Sequence, residues 1–185
     1  MSVLLERKKY ILALLKNVEN HRSTDAFKQE MMSLSYVVVC GAIEFLTERI
    51  LYDWLNRTIK HHEYSRYRGR KYVQNYLEIQ SQTGERSIDS YHSTKLGEIK
   101  GLIGKIAGQL AKDKFTELLE NAQNTSSINP DINARLERIN RTRHELAHGS
   151  KTPDEIQPNI SELREDFLFI YEHLIKNVKR CLPKV

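Results

Sequence analysis

Arg143 and His148 lie near the end of one polar run, Arg141-Thr142-Arg143-His144-Glu145-Leu146-Ala147-His148-Gly149, with four residues between them. A permanent guanidinium beside an imidazole that titrates near neutrality is suited to phosphodiester cleavage. The cation stabilises charge on a pentavalent phosphate, and the imidazole moves protons. RNA carries its own nucleophile, the 2′-OH, so such a site needs neither metal nor cofactor. Read from His144, the same run is H-E-x-x-H, in which two imidazoles one helical turn apart hold zinc and Glu145 acts as base. The two chemistries exclude each other. Arg141 and Arg143 beside the imidazoles oppose a dication. A zinc site also needs a third ligand, for which Glu162 or Glu165 would have to serve, and a strand edge to align a peptide. No alternating strand pattern occurs in the chain, so the phosphodiester reading is favoured and no metal is expected.

The elements that must position these residues all read as helices. Apolar periodicity predicts helices over about Val3–Asn20, Asp25–His61, Arg66–Gln80, Lys95–Ala107 and Lys112–Ala122. A motif helix from Pro130 to His148 and a last helix over Asn159–Leu182 follow. Ser81 to Ser93 reads as a mobile polar loop. Glycines at 97, 101, 104 and 108 recur at helical spacing and suggest close helix packing. On a 100° wheel, Ile132, Leu136, Ile139 and Leu146 form the buried side of the motif helix, and Arg143 falls on that side. Arg141, His144, Glu145 and His148 share the polar side. A cation in an apolar seam requires a partner. Glu44, the lone charge in the apolar run Tyr36–Leu46, is the candidate, with Gly41 one turn earlier allowing close approach.

The segment Leu136–Gly149 resembles the signature of HEPN domains, and the branch it is most similar to is RiboL-PSP-HEPN. The matching residues are Glu44, Arg143, Ala147, His148 and Gly149. The resemblance implies a single all-α, HEPN-like bundle of five to seven helices and a metal-independent endoribonuclease, often a toxin or phage-defence effector. Arg143 and His148 become the catalytic pair, and Glu44 orients the arginine. A homodimer is implied, with one composite cleft built from two motifs, and an antitoxin or defence-system partner is possible. His144 stands where the family often has Asn. Ser150 stands where partner-nucleotidylated toxins carry Tyr, so that mode of control is not expected. The alternative within the family is a non-catalytic module that binds RNA or protein.

Bulk properties agree with this class. The 185 residues carry a net charge of +5, with 29% charged and 39% hydrophobic residues. That balance suits one helical domain able to bury a core, with RNA as a plausible polyanionic partner. Arg141 and His144, together with Arg66, Arg68, Arg70 and Lys71 interleaved with Tyr64, Tyr67 and Tyr72, are candidate RNA contacts. Cys40 and Cys181 lack framework spacing, which fits a reducing cytoplasm. Neither a targeting signal nor a membrane span is expected.

Overall fold

The computed structural model describes residues 3–21, 25–62, 95–125, 132–147, 152–156 and 158–184. Every element among them is helical: α1 (Val3–Asn20), α2 (Asp25–His62), α3 (Leu96–Ala107), α4 (Gln109–Thr125), α5 (Ile132–Ala147), α6 (Pro153–Ile156) and α7 (Ile160–Ile170). The last helix continues from α7 through a π-helical turn, Tyr171–Ile175, into α8 (Lys176–Cys181). The all-α expectation therefore holds. The helix expected at 66–80 and the loop expected at 81–93 lie outside the described residues.

The spine is α2, whose 38 residues extend for about 57 Å. It contacts α1 and α5 most extensively and also meets α3, α7 and α8. Burial of Val39, Ile43, Leu46, Ile50 and Trp54 on one side explains why this face faces the bundle. Helix α1 contributes Ile11, Leu15 and Val18, and α3 and α4 contribute Ile99, Leu102, Ile103 and Phe115. Phe167, Ile170 and Leu174 complete one continuous core. The Trp54 indole N–H donates to the Pro183 carbonyl at 2.9 Å, which ties the end of the chain to α2.

Two expectations need correction. Helix α4 starts at Gln109 rather than Lys112, because Gly108 reverses the chain in a single residue. Its φ is +90°, its N–H bonds to the Gly104 carbonyl at 3.0 Å, and its own carbonyl accepts from Ala111 and Lys112. One glycine thus closes α3 and opens α4, a backbone conformation that side chains resist. Nor do the α3 glycines form a packing seam among the described residues. A Cβ at Gly97 or Gly101 would meet nothing within 4 Å, and one at Gly104 would touch only the Lys112 stem at 3.1 Å. Gly41 is equally open, so no helix among the described residues uses the space it leaves.

Candidate active site on the motif helix

Ile132, Leu136 and Ile139 are buried, and Leu146 packs against the core, as the wheel predicts for α5. Arg143 occupies the same line and is half-buried. Helix α5 lies between α2 and α7, so its two flanks meet different chemistry.

On the α2 flank, Cys40 and Asn140 meet, the thiol donating to the Asn140 Oδ1 at 3.8 Å. Burial pushes the Cys40 thiol up to about 12, with the charge of Arg143 lowering it and that of Glu44 raising it. Both charges therefore act on one spot of the α2–α5 seam. Glu44 sits one turn after Cys40 and is half-buried. Glu44 and Arg143 thus share one neighbourhood at this seam. Arg141 and His144 occupy the exposed side, as expected. His148 lies outside the described residues, as do Arg66, Arg68, Arg70 and Lys71.

On the α7 flank, the structure reveals a cluster that the sequence analysis did not single out. Asp166, 1% exposed, accepts from Arg135 Nη1 at 2.5 Å and from Arg138 through Nε at 2.9 Å and Nη2 at 2.6 and 2.7 Å. Arg138 Nη1 also pairs with Glu162 at 2.7 Å. The hydrogen bond to Asp166 is the main reason that the Arg138 guanidinium is held even further into its charged form. The guanidinium of Arg135 lies 4.5 Å from the Phe169 ring centre. A signal was available: Asp166 shares the helical phase of Leu163, Phe167 and Ile170. That is the same anomaly, a charge in an apolar stripe, that drew attention to Glu44.

The four arginines of α5 therefore divide. Arg135 is paired with one carboxylate and Arg138 with two. Arg141 and Arg143 make no hydrogen bond or ion pair among the described residues. An exposed arginine in that condition is ordinary, but a half-buried one holds a charge that costs free energy until an anion meets it.

The buried thiols allow a direct check of this packing. Cys181, like Cys40, is pushed up to about 12 by burial. Thiolate is the reactive form, so both should resist a disulfide reagent at pH 8 for as long as the fold persists. Two thiols should then react together in denaturant. Fast titration of either one in the native state would contradict the burial described here.

The outer face of α2 is unusually apolar. Leu34 (57% exposed), Val37, Gly41, Phe45 and Tyr52 recur along one stripe beside Glu44. Arg7 of α1 lies over the Phe45 ring at 5.4 Å. No helix among the described residues is long and apolar enough to cross a membrane.

Compared with known families, the model of RiboL-PSP-HEPN domains matches residues 2–183. No curated protein and no solved structure matches the chain.

Proposed function

The chain belongs to the RiboL-PSP-HEPN family, and from that premise we propose that it is a metal-independent endoribonuclease acting through the R-x4-H motif. The observation that carries this reading is the half-buried Arg143 at the α2–α5 seam, which makes no ion pair among the described residues and lies on the helix that carries the motif. Its guanidinium binds the scissile phosphate and stabilises the charge that builds on it. His148 takes the proton of the attacking 2′-OH or supplies one to the leaving 5′-oxygen. Glu44 sets the field and orientation of Arg143. The products are a 2′,3′-cyclic phosphate and a 5′-hydroxyl.

The active form is a homodimer in which two motifs share one cleft. The apolar stripe of α2 supports this arrangement, because it is exposed and adjacent to Glu44. Gly41, with open space where a Cβ would stand, lets a second backbone approach. The double substitution Leu34→Glu and Phe45→Glu changes only exposed positions, so the monomer should fold. It should shift sedimentation from dimer to monomer and lower cleavage at least tenfold. A wild-type protein that is monomeric yet fully active would remove the composite site. The biological role that fits such an enzyme is that of a toxin or phage-defence effector held in check by a partner.

The test is incubation of a structured RNA pool with the purified protein in EDTA, with end-group analysis of the products. Cleavage that leaves cyclic phosphate ends supports the enzyme. Retention of RNA without cleavage by a folded dimer supports the non-catalytic binding module instead.

A further inference from the structure

Helix α5 borders a second feature that the reaction above does not use. A cleft of about 500 Å³ opens between its outer face and the start of α3, within the range of small-ligand sites. Leu96, Ala134 and Leu136 form an apolar floor, while Lys95, Arg138, Asn140 and Arg141 supply polar groups. Asn140 joins this cleft to the seam, since it also accepts from the Cys40 thiol, on which the charges of Glu44 and Arg143 act.

The state of each cation decides what the cleft can hold. Lys95 and Arg141 are exposed and make no ion pair among the described residues, so both are available to a phosphate. Arg138 is different. Its Nε and Nη2 are taken by Asp166 and its Nη1 by Glu162, so its N–H edges are not free for an anion. What it can present to the cleft is the flat face of an immobilised guanidinium, a surface on which a nucleobase stacks. Glu137, the one acid among the described residues lining the cleft, accepts from Asn133 at 2.6 Å. It disfavours phosphate on its own side and directs it towards Lys95 and Arg141.

We propose that this cleft binds one nucleotide unit of single-stranded RNA next to the scissile step, with its base stacked on the face of Arg138 and its phosphate held by Lys95 and Arg141. The assignment rests on the ribonuclease reading for its place in the RNA track, but the binding itself requires no cleavage.

The test therefore uses the Arg143→Ala protein, full chain, with a fluorescent 12-nucleotide single-stranded RNA and, separately, adenosine 5′-monophosphate. The double variant Lys95→Ala, Arg141→Ala should weaken oligonucleotide binding at least tenfold and lower the salt slope by about 1.4, two phosphate contacts' worth for a single strand. Ala134→Trp, an exposed position that fills the cleft, should weaken it comparably without altering the charge. Lys16→Ala, a charge lost elsewhere on the surface, should change nothing. Unchanged affinity in both cleft variants would overturn the proposal, as would absence of binding by the parent protein in low salt. Cleft-dependent binding of the monophosphate with an indifferent oligonucleotide would assign the cleft to free nucleotides and overturn its place in the RNA track. Failure of cleavage in the wild type, with cleft-dependent RNA binding intact, would count against the enzyme and not against this site.

Discussion

Arg143→Ala is expected to lower RNA cleavage in EDTA by about 100- to 1000-fold, the scale seen when one preorganised stabiliser of transition-state charge is removed. The physical reason is its partial burial. In the α2–α5 seam its field is less screened than that of a surface cation, so it contributes more to a developing charge. Because it makes no hydrogen bond or ion pair among the described residues, its loss should leave the fold intact, and melting should change little. Arg143→Lys keeps the charge but loses the planar fork that grips phosphate oxygens in pairs, so its rate should fall between the two. Single-turnover rates for the three proteins, each checked by circular dichroism, decide the matter. An alanine variant within threefold of wild type would take Arg143 out of the chemistry.

Asp166→Ala should have the largest effect on stability. It removes the carboxylate on which Arg135 and Arg138 converge and leaves Arg135 without its acid in a mostly buried setting. Breaking such a buried pair from one side costs about 3–5 kcal/mol. For a chain of this length that corresponds to a fall in Tm of about 6–20 °C. The reverse experiment separates charge from packing. Replacing Asp166, Arg135 and Arg138 together by apolar residues of similar size should recover much of the loss, since no orphaned charge remains. Thermal melts of both variants test this, and a single variant that melts within 2 °C of wild type would show that the cluster is not holding α5 to α7.

These two arginine environments also mark how far the sequence could be read. Ile132, Leu136 and Ile139 occupy the phase that periodicity requires, because an amphipathic helix has only one side it can bury. Arg143 on that side, and Arg141 and His144 opposite, follow from the same 100° step. Glu44 and Asp166 are each a charge in an apolar phase, visible in the same way, but their partners are not. Phase says which side a residue faces and leaves open which of several neighbouring helices will be there. Hence Glu44 shares the neighbourhood of Arg143 beside Cys40, while Asp166 collects two arginines that the motif did not point to.

The helix boundaries at Gly108 show the same division. Composition marks the glycine as a weak point, yet only the chain's path makes it a one-residue turn with φ of +90° between two helices. What the sequence by itself determined was the helical class, the buried phase of each helix and the motif that assigns the family, since all three depend on local spacing. The tertiary structure alone decided which arginines are neutralised by carboxylates and which have no such partner among the described residues. Charge pairing depends on distances between residues remote in the chain, and those exist only once α5 is seated between α2 and α7.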